Sequence, residues 1–124
     1  MNDKELMMKA ERAAMSAKIL LDAGDLEGAC DRAYYAMFNA ARAALIASGS
    51  QVQEDVARTH NGLISAFSLH LVKTGRIPLE YGRTLNKVED LRVIADYKGD
   101  PIDLEKAEWA VVQAHEFIQA IRAL

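Results

Sequence analysis

An all-α fold, an up-and-down four-helix bundle with five helices in total, is what this sequence predicts, and three observations predict it. Apolar residues recur at steps of three and four along successive segments, Gly24, Gly49, Gly75 and both prolines fall between those segments, and no period-two alternation survives over a useful length. Alanine is abundant while aromatics make up only 6% of the 124 residues. Thin side chains let helices approach closely and leave little wall material for a large ligand cavity, which suits a bundle better than a barrel.

The first helix is expected from about Asp3 to Ala23, with Leu6, Met7, Ala10, Ala13, Ala14, Ala17, Leu20 and Leu21 along one stripe and Gly24 ending it. Asp25 can cap the second, whose row Leu26, Cys30, Ala33, Met37, Ala40 and Ala44 is widened by Phe38 and Leu45 and stops at Gly49. Residues Ser48 to Asp55 are polar and aperiodic, and read as a loop over one end of the bundle. A third helix is expected from Val56 to Thr74, with His60, Leu63, Ile64, Phe67 and Leu71 on one side and Gly75 closing it. Pro78 opens a fourth, from Leu79 to about Tyr97, whose stripe is Leu85, Val88, Leu91, Ile94 and Ala95 with Arg92 at its border. Asp100 as cap, Pro101 at the first position and Asp103 in the first turn would start the fifth, along Leu104, Ala107, Val111, Ala114, Ile118 and Ile121. Short connections imply antiparallel neighbours. Without an internal repeat, low-complexity tract or linker, residues 1–124 read as one domain.

A net charge of −3 gives no global attraction to nucleic acid or acidic lipid, so an anion site has to be argued residue by residue. One cysteine, Cys30, excludes an intrachain disulfide and points to a reducing cytoplasm, and as a small helical residue it reads as core filler. The acidic start lacks the layout of a signal peptide, and no apolar run approaches the roughly 18 residues of a membrane span. His60, His70, His115 and the lone cysteine show no ligand spacing, and the glycines form no phosphate loop, so neither metal nor cofactor is expected.

The residues that carry chemistry lie elsewhere. Arg32, Tyr35, Asn39 and Arg42 recur at steps of three, four and three and make a polar row beside the apolar stripe of the second helix. Tyr34 and Tyr35 point about 100° apart, so one can pack inward while the other presents its hydroxyl beside Asn39. Arg92 and Asp96 stand one turn apart and can pair, with Tyr97 next to them. Because an exposed pair contributes only about 0.3 to 0.5 kcal/mol, an arginine at the border of a core stripe is better suited to a phosphate or a partner carboxylate. His60, on the apolar side of the third helix, is either a core-edge histidine or a functional one.

Three stretches, Arg32-Ala-Tyr-Tyr-Ala-Met-Phe-Asn-Ala-Ala41, Thr59-His-Asn-Gly-Leu-Ile64 with Phe67 and Leu71-Val-Lys-Thr-Gly75, and Leu91-Arg-Val-Ile-Ala-Asp-Tyr97, resemble in order and spacing the signature stretches of prokaryotic HEPN domains. Ala107, Ala114 and Phe117 of the closing helix also suit the pattern, and the likeness covers nearly the whole chain. The resemblance implies a helical bundle that forms homodimers with polar residues at the interface. It also implies a minimal nucleotidyltransferase as partner in a toxin-antitoxin type system, and binding of nucleotide or RNA phosphate. Catalytic relatives are metal-independent ribonucleases with an arginine, four to six further residues and then a histidine that moves protons while the arginine holds the phosphate. Here Arg92 is present, but Asp96, Tyr97, Lys98 and Gly99 stand where that histidine would be. Ordinary carboxyl and phenol pKa values near about 3.9 and about 10 do not match a neutral proton shuttle. The favoured reading is therefore a dimerising, partner-binding module using Arg92, Asp96, Tyr97, His60, Tyr35, Asn39, Arg32 and Arg42. The alternative is a ribonuclease whose acid or base is His60 or Tyr97, working with Arg92 across a dimer.

Overall fold

The side chains that flank each turn explain why the chain folds back where it does. In the computed structural model, which describes residues 1–52, 55–95, 99 and 101–124, the element order is α1 (Asp3–Asp22), α2 (Leu26–Ala47), a 3₁₀ turn (Val56–Arg58), α3 (His60–Phe67), a π-helical turn (Ser68–Val72), α4 (Leu79–Val93) and α5 (Leu104–Arg122). Strands are absent among the described residues. Asn2 caps α1 by accepting from Glu5 N at 2.8 Å, and Asp25 caps α2 by accepting from Gly28 N at 2.9 Å. Between them Gly24, at φ 87°, takes the left-handed conformation that lets α2 reverse onto α1 within three residues.

The largest share of the core is contributed by α2, which packs on α1, α5, α4 and α3. Its Ala29, Ala33, Ala36, Ala40 and Ala44 are buried, as are Ala10, Ala13, Ala14 and Ala17 of α1, and small residues on both helices allow the close approach that composition predicts. Bulk is supplied by Phe67, Phe117, Leu6, Met37, Leu63, Leu71, Leu85 and Val88, all fully buried. Phe67 and Phe117 stack with centroids 5.7 Å apart and so fasten α3 to α5. None of the described helices is long and apolar enough to cross a membrane.

Several expectations are corrected. The third helix is not continuous from Val56: Thr59 is extended at φ −100° and ψ 152°, and its hydroxyl accepts from Gly62 N at 3.0 Å, so a fresh N-terminus is made at His60. After Phe67 the helix widens into the π turn, closed by Lys73 N donating to Ser68 O at 2.8 Å. α5 is capped by Asp103, which accepts from Lys106 N at 2.8 Å, so Pro101 precedes the helix instead of occupying its first position. Asp100 lies outside the described residues. Ile94 and Leu104, assigned to core stripes, are exposed because both stand at helix ends where the stripe has run past its neighbours.

Candidate functional site

Three helices bring side chains far apart in sequence onto one tyrosine. On α2, Tyr34 turns inward and is buried, while Tyr35, one residue and about 100° on, stays exposed. The Tyr34 hydroxyl meets His60 Nδ1 at 3.0 Å, and His60 Nε2 meets Asn86 Oδ1 of α4 at 2.8 Å. An amide oxygen can only accept, so Nε2 carries hydrogen and, in the neutral ring, Nδ1 accepts from the phenol. Thr59 sets this geometry, because its cap starts α3 one residue before His60 and fixes the direction in which the imidazole leaves the helix.

On the other side of Tyr34 lies Arg92, with its guanidinium carbon 4.8 Å from the Tyr34 ring centroid and 5.7 Å from that of Tyr35. Its carboxylate partner is Glu89, one turn earlier on α4: Nη2 donates to Oε2 at 3.0 Å and to Oε1 at 3.2 Å, and Nε donates to Oε2 at 3.2 Å. Asp31 of α2 adds a longer contact of 3.7 Å to Nη1. The Arg92 and Glu89 side chains are only 20% and 15% exposed, so this pair is better shielded than a surface bridge. Burial opposes the Arg92 charge, but hydrogen bonding and charge from Glu89 outweigh it and raise its pKa. The expected pairing of Arg92 with Asp96 falls, like Tyr97, outside the described residues.

The polar row on α2 divides. Arg32 and Asn39 line the groove between α1 and α2, and the Arg32 guanidinium also lies 5.4 Å from the Tyr35 ring centroid. Arg42 lies over Phe38 at 6.0 Å, beside Leu45 and Ile46. Arg92, His60 and Tyr35 thus converge, whereas Asn39 and Arg42 stand apart. Glu89 and Asn86 were missed by sequence reasoning, and Tyr34 was singled out only together with Tyr35. The adjacent tyrosines were a signal that one of them would be inward, and an acid three residues before Arg92 was visible, but nothing local tied His60 to α4.

Across residues 4–124 the chain matches the HEPN domain family. It belongs to that family. A UPF0332 protein of Gloeobacter violaceus is 36% identical over 118 residues, covering 94% of this chain and 90% of the relative. A protein of Methanocaldococcus jannaschii named "Putative toxin" is 35% identical over 113 residues, with 91% of this chain and 81% of the relative covered. A UPF0332 protein of Thermotoga maritima is 32% identical, covering all of this chain and 95% of its own. For a HEPN domain, the cluster centred on Tyr34 means that its Arg92 is held against a ring and a carboxylate before any ligand arrives.

Burial, reinforced by Glu89, pushes the Tyr34 phenol well above its ordinary range, so its hydroxyl remains a donor. Burial, reinforced by Asp31, likewise raises the Cys30 thiol from 9.0 to about 11. Both groups hold protons in the folded chain that the unfolded chain releases, so the stability they confer is intact below pH 9 and is lost as pH climbs towards 11 and beyond. The urea midpoint of the wild-type HEPN chain is expected to hold between pH 8 and 9 and then to fall as pH rises to 11. In Tyr34→Phe the upper part of that fall is expected to shrink, at a cost of about 1 kcal/mol near neutrality from the lost bond to His60. Equal midpoints at pH 8 and 11 would contradict the assignment.

Proposed function

We propose that this HEPN protein is one half of a toxin-antitoxin type pair, a module that dimerises and docks a minimal nucleotidyltransferase through the face around Arg92. The name of the Methanocaldococcus jannaschii relative, and a second toxin-named protein of that organism 27% identical over 116 residues, support the system class. The observation that carries the binding reading is the engagement of Arg92 by Glu89 and Asp31 on a platform of two tyrosines. Among the described residues, Glu89 and Asp31 balance Arg92 and Arg32 and leave the cluster without cationic excess, which favours a polar protein surface over the bare polyanion of RNA. Tyr35, exposed between Arg32 and Arg92, is the kind of rigid amphipathic side chain that interfaces bury. A nucleotide or RNA phosphate would have to displace Glu89 from a fork that it already fills.

One observation favours the ribonuclease reading: Tyr34 holds His60 at its hydroxyl and Arg92 at its ring, placing an imidazole and a guanidinium around a single residue. The two readings separate in one experiment. Purified wild-type protein incubated with end-labelled RNA and a chelator is expected to leave the RNA intact. Arg92→Ala, checked for helical content, is expected to weaken self-association or association with the nucleotidyltransferase by about tenfold or more, the loss typical of a buried interface arginine. RNA cleavage that disappears in both Arg92→Ala and His60→Ala would replace the binding reading with the catalytic one.

A further inference from the structure

α1 is apolar on two opposite sides, and only one of them is explained by the fold. Leu6, Ala10, Ala13, Ala14 and Ala17 face the core. On the helical projection Met8, Met15 and Ile19 fall on the opposite side, and they are 56%, 63% and 60% exposed. A helix on the surface of a bundle normally turns polar residues outward, so a ridge of large flexible side chains there contributes nothing to this fold. Steps of seven and four residues are those of a seam between two helices, and methionine packs adaptably against a partner.

The charges beside the ridge differ on its two flanks. Towards α5, Lys18 pairs with Asp22 and Glu11 pairs with Arg122, so that side is neutralised internally. Towards α2, a groove of about 690 Å³ is lined by Lys9, Arg12, Ser16, Ile19, Arg32 and Asn39. It holds three cations and no carboxylate, in a chain whose net charge is −3. Lys9 and Arg12 have no ion-pair partner among the described residues.

We propose that the outer ridge of α1, Met8, Met15 and Ile19 with the cationic groove of Lys9, Arg12 and Arg32, docks an acidic amphipathic helix of another protein. Its apolar stripe covers the methionines and its carboxylates enter the groove. A second copy of this chain fits less well. A two-fold contact centred on the ridge would set Arg12, which lies between Met8 and Met15, against its own counterpart, and like charges across an interface oppose association. The ridge itself lies on α1, and the groove adjoins the Arg92 cluster only through Arg32, whose guanidinium is 5.4 Å from the Tyr35 ring.

The test is fluorescence anisotropy on the full chain with two synthetic helical peptides of about 20 residues, long enough to form a helix. Both carry the same leucine stripe, one flanked by glutamates and the other by lysines. The glutamate peptide is expected to bind at least about tenfold more tightly and to weaken with added salt. Lys9→Glu with Arg12→Glu is expected to reverse that preference, and Met15→Ser to weaken binding about tenfold with an unchanged melting temperature, since the side chain is exposed. Equal binding of both peptides, binding of neither, or no effect of Met15→Ser would overturn the proposal. So would a concentration-dependent dimer that Met15→Ser abolishes, because the ridge would then be a contact between copies. None of these outcomes bears on the Arg92 reading, which is tested by RNA integrity and by Arg92→Ala.

Discussion

Phe117→Ala is expected to cost about 3 to 5 kcal/mol, the range for deleting a fully buried phenylalanine, and to lower the melting temperature by roughly 10 to 20 °C for a domain of this size. The ring is wholly buried, stacks on Phe67 at 5.7 Å and 25°, and meets the Tyr81 ring edge-on at 6.0 Å. Alanines dominate the rest of the interior and cannot swing in to fill the void, so relaxation around the cavity is limited and the cost stays high. Phe117→Leu keeps much of the volume and is expected to recover more than half of the loss. Chemical denaturation of the three proteins checks this. A loss under about 1 kcal/mol for Phe117→Ala would mean that the ring is not the clamp between α3 and α5. Because α3 carries His60 and Phe67 anchors α3, the variant is also expected to loosen the bonds from His60 to Tyr34 and Asn86.

Two glycine-to-alanine changes are expected to have opposite signs. Alanine is favoured over glycine in helices by about 1 kcal/mol, and Gly82 sits within α4 where an added methyl would only touch Ile64 Cδ1 at 3.9 Å and Phe67 Cδ1 at 4.0 Å. Gly82→Ala is therefore expected to stabilise by up to about 1 kcal/mol. At Gly62 the same methyl would collide with the backbone carbonyl oxygen of Val56 and stand 2.8 Å from Thr59 Oγ1. A backbone atom of the 3₁₀ turn cannot rotate away, and the threonine contact is the cap of α3 itself. Gly62→Ala is expected to destabilise by about 1 to 3 kcal/mol through overpacking and to displace His60 from Tyr34. Thermal melts of both variants, with imidazole NMR signals of His60, check the pair. Equal signs would show that propensity, not close approach, governs Gly62.

The sequence was most legible where the physics is local. The alanine stripe of α1, the cap at Asp25 and the stop at Gly49, with φ 76°, follow from spacing and from neighbours within one helical turn. It was less legible where two local signals compete. Asp100, Pro101 and Asp103 all suit a helix start, and which of them caps α5 depends on where the helix meets the core. Thr59 was overlooked as a cap because Val56, Ala57 and Arg58 before it continue a plausible helical pattern, and only the closure of the 3₁₀ turn against Gly62 shows the break.

By itself, the sequence determined an all-helical bundle, membership in the HEPN family and the presence of Arg92 with no histidine after four to six intervening residues, because all of these rest on residue identity and short-range periodicity. Only the tertiary structure decided that Tyr34 and not Tyr35 is the inward ring, and that His60, 26 residues from both Tyr34 and Asn86, bridges them. It also decided that Arg92 is spoken for by Glu89 and Asp31. The reason is the 100° step of the α-helix. Adjacent residues differ in face by a rotation that local pattern leaves ambiguous, and the packing of α2 against α3 and α4 selects one.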